Sequence, residues 1–149
     1  MTDAGDQADG LRSLGALHHL SLTVSDLERS VPWYCDVLGF EVIGDQSHGD
    51  GRTVVLALGA GEFVLLLQEH KAHEGTSFSE FRPGLDHLSF RLHHTGDLEA
   101  WRSRFDGLGV EYQEPRSEAY GSVLIFRDPD RIQLELFVDP PDAHAAPRT

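Results

Sequence analysis

The chain has 149 residues, of which 40% are hydrophobic, and its formal net charge at pH 7 is -13. This length and apolar content suffice for one compact domain or two small fused repeats, and they exclude a disordered polypeptide. The negative charge argues against nucleic acid and anionic membranes as partners, because their phosphate groups would repel it. We therefore expect a protein that acts on small molecules.

Several features predict a cytoplasmic location. The single cysteine, Cys35, cannot form an internal disulfide, which is typical of a reducing compartment. No apolar run approaches the roughly 20 residues that a membrane-spanning helix needs, and the acidic amino terminus lacks the basic and apolar segments of a secretion signal. Residues 1–15 and 139–149 are rich in small residues, Asp or Pro, so we predict disordered tails there.

One short alternating stretch occurs twice in the chain. It is L-H-H-L-S-L-T-V at Leu17–Val24 and L-D-H-L-S-F-R-L at Leu85–Leu92. Strict alternation of apolar and polar residues predicts a β-strand with one apolar face and one polar face. Each polar face begins with a histidine, His19 in the first copy and His87 in the second, so a duplicated unit would place both in equivalent positions.

A helix is predicted after each of these strands. Cap residues and helical spacing indicate a first helix near residues 28–38, with Asp26 as a cap, Gly39 at its end and Pro32 in its first turn. Asp97 is the corresponding cap for a second helix over residues 98–108. Its predicted buried face consists of Leu98, Trp101, Phe105 and Leu108.

Three strands are predicted to follow each helix. They span residues 40–45, 52–58 and 62–68 in the first half, and residues 110–113, 122–126 and 132–138 in the second. The two halves, residues 16–70 and 85–138, therefore share the order β-α-β-β-β. The polar residues 71–84 form the predicted linker between them.

These paired units resemble the vicinal oxygen chelate superfamily. Two runs of sequence share this resemblance, namely D-L-E-R-S-V-P-W-Y-C-D-V-L-G-F and F-R-D-P-D-R-I-Q-L-E-L. That superfamily includes glyoxalase I, extradiol dioxygenases, fosfomycin resistance transferases and bleomycin resistance proteins. The resemblance covers residues 16–138 and implies an α+β fold. In it, two βαβββ repeats form an open, curled mixed β-sheet barrel around a divalent metal, and repeats pair within one chain or across a homodimer.

Glu135 lies in the middle of an otherwise hydrophobic strand, where a carboxylate needs a partner. The resemblance implies that His19, His87 and Glu135 are the metal ligands. Two imidazoles and one carboxylate form a facial triad that suits Fe2+ or Mn2+, with Zn2+, Ni2+ and Co2+ as alternatives. The three residues could instead be hydrogen-bonded core residues without a metal. A fourth ligand position aligns with Leu66, which argues against a glyoxalase I site with four protein ligands.

The facial triad favours a ring-cleaving, extradiol-type dioxygenase that acts on a small oxygenated substrate. Besides Glu135, the candidates for acid–base catalysis are His70, His73 and Tyr120. The two histidines lie in a predicted loop, which is typical of solvated surface residues as well. Candidates for substrate contacts are Ser21, Gln68, Ser89, Phe126 and Gln133. The alternatives are a glyoxalase-type lyase or isomerase, in which Glu135 or Gln68 moves a proton, and a metal-free drug-binding protein.

Overall fold

The computed structural model describes residues 14–141, and the greater part of both predicted tails lies outside these residues. The first half of the chain forms β1 (Leu20–Thr23), α1 (Leu27–Leu38), β2 (Glu41–His48), β3 (Gly51–Leu58) and β4 (Phe63–His70). The second half forms β5 (Leu88–Leu92), α2 (Asp97–Leu108), β6 (Arg116–Glu118), β7 (Gly121–Arg127) and β8 (Gln133–Val138). The predicted pair of βαβββ units is confirmed.

Each unit folds into its own four-stranded mixed sheet. The strand order is β1-β4-β3-β2 in the first sheet and β5-β8-β7-β6 in the second. In both sheets the opening strand of the unit runs parallel to the closing strand, while the other neighbours are antiparallel. The sheets do not close into a barrel, so the prediction of open, curled mixed sheets is also confirmed.

Helix α1 begins earlier than its proline suggested. Asp26 is the N-cap, and its carboxylate accepts hydrogen bonds from two N–H groups of the first turn at 2.9 and 3.3 Å. Glu69 Oε2 accepts a further bond, of 2.7 Å, from the Leu27 N–H. Because these acceptors fix the start at Leu27, Pro32 lies inside the helix, and its predicted place in the first turn is wrong. Gly39 ends the helix in the left-handed conformation, as predicted.

Helix α2 ends at Leu108 as predicted, but its start and the burial of its last turn differ from the prediction. Asp97 is its first residue rather than its cap, and the Asp97 carboxylate accepts a hydrogen bond from the His94 N–H at 3.0 Å. Leu98 and Phe105 are buried as predicted, but Leu108 is 49% exposed, because it lies in the last turn beyond the edge of the core. Neither helix of the described chain is long and apolar enough to cross a membrane.

The predicted strand over residues 110–113 is wrong. This segment makes a single bridge, between Tyr112 and Phe126, and the Gln113 N–H donates to the Ile125 carbonyl at 2.8 Å. Pro115 follows and has no N–H to donate, so regular pairing resumes only after it, in β6. The remaining predicted strands are present within a few residues of their predicted bounds.

Residues of both units share one hydrophobic core, which contains a buried polar contact between α1 and the turn before β8. The Tyr34 hydroxyl donates a 2.9 Å hydrogen bond to Asp128 Oδ2. The other Asp128 oxygen accepts from the N–H groups of Asp130 at 2.9 Å and Ile132 at 2.8 Å. Burial raises the pKa of Asp128 to about 6, although these hydrogen bonds act in the opposite direction.

This raised pKa predicts a pH-dependent stability. The native state binds more protons than the unfolded chain between about pH 4 and 6, because the unfolded Asp128 keeps its ordinary, lower pKa. We expect the free energy of unfolding to fall as the pH rises through this window. Asp128→Asn should remove this contribution, which urea unfolding at several pH values would measure. Identical pH profiles of the wild type and the variant would contradict the expectation.

Candidate metal centre

The strand register gives the two sheets equivalent positions. Ser21 of β1 lies opposite Leu66 of β4, and Ser89 of β5 lies opposite Glu135 of β8. Leu66 therefore occupies in the first sheet the position that Glu135 occupies in the second, as the sequence alignment predicted. A leucine side chain offers no ligand atom, so the first sheet supplies no carboxylate or amide ligand at this position.

His87 and Glu135 meet on the face of the second sheet that points away from the core. The Nε2 atom of His87 lies 3.5 Å from the Oε2 atom of Glu135. Two ligand atoms that each lie about 2.1 Å from one ion are separated by about 3 to 3.5 Å at right or tetrahedral angles. The pair therefore has a spacing that fits a shared divalent ion.

Asp86 fixes the orientation of the His87 ring. Its Oδ1 atom lies 2.6 Å from Nδ1 of His87, so this ring nitrogen carries a proton and donates it to the carboxylate. Nε2 lies on the side of Glu135, where it presents a lone pair when the ring carries only the proton on Nδ1. Carboxylates in this position hold metal-ligating histidines in one tautomer and increase their basicity. The sequence analysis missed Asp86, although an acidic residue directly before His87 was a visible signal.

Glu135 is largely buried, with 13% of its side chain exposed. Among the described residues, its hydrogen-bond and ion-pair contacts are with His87 and with Gln133, whose Nε2 lies 3.5 Å from Glu135 Oε1. Neither the amide nor an imidazole that carries a single proton brings a positive charge to this carboxylate, and a nearby cation stabilises a partly buried carboxylate. The surroundings of Glu135 therefore favour a bound cation.

His19 lies on the other sheet, directly before β1. It is exposed, and its Nδ1 atom lies 2.7 Å from Nδ1 of His18. Within residues 14–141, no three His, Cys, Asp or Glu side chains come close enough together to hold a metal ion. One copy of the chain thus brings together two of the three predicted ligands and places the third on a different sheet.

The candidates for acid–base catalysis lie in two places. His70 and His73 line a cavity of about 620 Å³ between the linker and the ends of β1 and β4, and none of the three predicted ligands lines it. Tyr120 is 66% exposed, and its ring stacks on that of Phe137 with the ring centroids 6.4 Å apart. Phe137 shares a sheet face with Glu135, because the two are separated by one residue in β8. Tyr120 therefore lies on the side of the His87–Glu135 pair.

Four of the predicted substrate contacts lie on the faces of the sheets that point away from the core: Ser21, Gln68, Ser89 and Gln133. The fifth, Phe126, does not. It is 1% exposed and packs in the core, with its ring centroid 4.7 Å from that of Phe105 and 6.2 Å from that of Trp33. Side chains alternate along β7, so Phe126 points away from the face that carries Glu135. The prediction that Phe126 contacts the substrate is wrong.

With the fold and this site in view, the relationship to known proteins is clear. The sequence matches the Glyoxalase/Bleomycin resistance protein/Dioxygenase superfamily over residues 16–136, and the chain belongs to this superfamily. A glyoxylase/bleomycin resistance protein/dioxygenase domain from Frankia sp. EAN1pec is 33% identical, with a TM-score of 0.79. The match covers 86% of this chain and 100% of that domain.

Two relatives carry the names of different reactions. The ethylmalonyl-CoA/methylmalonyl-CoA epimerase of Cereibacter sphaeroides is 30% identical over 125 residues, which are 78% of this chain and 90% of the epimerase. The manganese-dependent 2,3-dihydroxybiphenyl 1,2-dioxygenase of Geobacillus genomosp. 3 is 26% identical over 124 residues. That match covers 81% of this chain but 36% of the dioxygenase. The relatives of this chain therefore include enzymes named for more than one chemistry, and one of them is named as manganese-dependent.

Proposed function

We propose that this protein is a divalent-metal-dependent enzyme that binds vicinal oxygen atoms of a small substrate, at a site formed between two copies of the chain. The observation that carries the proposal is the 3.5 Å approach of His87 Nε2 to Glu135 Oε2, with Asp86 holding the opposite ring nitrogen. His87 and Glu135 of one copy and His19 of a second copy would hold the ion. The donor set favours Fe2+ or Mn2+, and Zn2+, Ni2+ and Co2+ also fit it.

The need for a second copy of the chain is inferred from the arrangement of the two sheets. Both sheets bury their apolar faces in one shared core, so the faces that begin with His19 and His87 point away from it. A homodimer that sets the first sheet of one copy against the second sheet of the other would bring the third ligand to the pair. Apolar side chains exposed on or beside the first sheet support such an interface, namely Leu17, Val42 and Ile43.

The proposed reaction is the ring-cleaving dioxygenation of a catechol-like substrate. When bound, the ion would polarise the substrate oxygens and make oxygen chemistry accessible. With three protein ligands, and Leu66 where a fourth would lie, coordination positions remain for the substrate. Tyr120 is the better supported acid–base candidate, because its ring stacks on Phe137, which shares the sheet face of Glu135. Ser89 and Gln133 on the same face are donors that could orient a substrate.

A second candidate function is a proton-moving lyase, isomerase or epimerase. The length of the match to the epimerase favours it, because this chain aligns with 90% of that enzyme and with 36% of the dioxygenase. In such a reaction Glu135 would hold or move the proton, and Gln68, on the equivalent face of the first sheet, could assist. A metal-free drug-binding protein is the third candidate, since the described residues of one copy do not assemble three ligands.

Anaerobic purification followed by elemental analysis tests the proposal. We expect about one Fe2+ or Mn2+ per chain and stoichiometric oxygen uptake with at least one member of a catechol panel. Solvent-proton exchange into 2-oxo or acyl thioester substrates without oxygen uptake would instead establish the second candidate. A protein without stoichiometric metal, whose ligand binding resists a chelator, would overturn both enzymatic proposals.

A further inference from the structure

Arg127 joins three segments of the chain beside the proposed metal centre. Its guanidinium binds both carboxylate oxygens of Glu80 in the linker, at 2.7 and 3.3 Å. It also donates a 2.8 Å hydrogen bond to the carbonyl of Arg131, in the turn before β8. Hydrogen bonds from Arg127 lower the pKa of Glu80 to about 2, so the pair is ionised at neutral pH. The guanidinium therefore has a fixed position.

The same guanidinium determines which way the Gln133 amide faces. Arg127 Nη2 lies 3.2 Å from Gln133 Oε1. Arginine has donors and no acceptor, so it contacts the oxygen of this amide and not its nitrogen. The amide nitrogen is thereby turned toward Glu135, where it lies 3.5 Å from Oε1. With Oε1 on the side of the amide, the other carboxylate oxygen, Oε2, is the one that faces His87.

We propose that Arg127 is a positioning residue for the metal centre: through Gln133 it orients the Glu135 carboxylate so that one oxygen is presented to the ion beside His87. This inference rests on the proposed function. The distances form one connected path, from Arg127 to Gln133 to Glu135 to His87. Outer partners of this kind typically change metal affinity by about 10- to 100-fold when they are lost.

The competing explanation is that Arg127 only ties the linker to the second sheet through Glu80. Three variants separate the explanations. Arg127→Met keeps the aliphatic stem and removes every donor, so it breaks both the linker contact and the path to Glu135. Glu80→Gln weakens the linker contact but leaves Arg127 beside Gln133. Gln133→Leu breaks the path while leaving the Arg127–Glu80 ion pair in place.

The test measures Mn2+ affinity by competition with a chromophoric chelator, together with thermal unfolding of the metal-free proteins. Arg127→Met and Gln133→Leu should each weaken Mn2+ binding by about tenfold or more. A variant that carries both substitutions should bind Mn2+ no more weakly than the more affected of the two single variants. Glu80→Gln should bind Mn2+ within about twofold of the wild type. Should Arg127→Met fail to fold, Gln133→Leu provides the same comparison.

Three outcomes overturn the inference in different ways. Equal loss of affinity in Arg127→Met and Glu80→Gln, with no change in Gln133→Leu, would show that Arg127 acts through the linker and not through Glu135. Unchanged Mn2+ affinity in Arg127→Met and Gln133→Leu, with normal binding by the wild type, would remove the positioning role and leave the proposed function intact. A wild-type protein that binds no divalent metal would remove both.

Discussion

A chain with His19→Ala should bind no stoichiometric metal alone, and neither should a chain with Glu135→Leu. A mixture of the two chains, unfolded and refolded together, should recover about a quarter of the wild-type sites. The reason is the pairing proposed above. Each site would take His19 from one copy and His87 with Glu135 from the other. In a mixed dimer one site then carries both substitutions and the other carries neither, and random pairing makes half of the dimers mixed. Leucine is a suitable replacement because Leu66 holds the equivalent position in the first sheet.

Metal stoichiometry of the refolded mixture is the measurement, with each variant refolded alone as the control. A third variant, which combines both substitutions in one chain, should recover no sites when it is mixed with either single variant, because each such mixture lacks either His19 or Glu135 entirely. Absence of recovery in the mixture of single variants, with both chains folded and dimeric, would contradict the pairing between copies. Full metal binding by His19→Ala alone would remove this residue from the ligand set.

Phe126→Ala should lower the free energy of unfolding by about 3 to 5 kcal/mol, the usual cost of a large cavity in a packed core. The side chain is 1% exposed and contacts aromatic rings from both helices, Trp33 of α1 and Phe105 of α2. Its removal therefore loosens the packing of one unit against the other. The loss is a large part of the roughly 5 to 15 kcal/mol that stabilises a typical domain.

Urea unfolding measures this effect, and Phe81→Ala is the matched control. Phe81 lies in the linker and is 91% exposed, so its truncation should change the stability by no more than about 0.5 kcal/mol. If Phe126→Ala left the stability unchanged and weakened substrate binding, the side chain would belong to the substrate pocket after all, as its sequence position first suggested.

Much of the fold could be predicted from short-range patterns. Alternation along the repeated strand and along β8 specified which residues face the core, and the described structure buries Leu22, Val24, Leu134 and Leu136 accordingly. The caps Asp26 and Gly39 lie where local spacing indicated. Errors arose where a distant residue decided a local feature. Glu69, 42 residues from Leu27, helps to fix the start of α1 and so places Pro32 inside it.

The candidate metal centre likewise has residues that the sequence singled out and contacts that only the tertiary structure showed. The alternation of β8 singled out Glu135, and the two copies of L-x-H-L-S singled out His19 and His87, because side-chain type and strand periodicity are local properties. Only the tertiary structure decided that His87 is the histidine beside Glu135 and that His19 lies on a separate sheet in the same copy. The Arg127–Glu80 pair, 47 residues apart, was likewise invisible in the sequence. Such contacts depend on how separate sheets and linkers pack together, and no spacing within a single strand or helix records that packing.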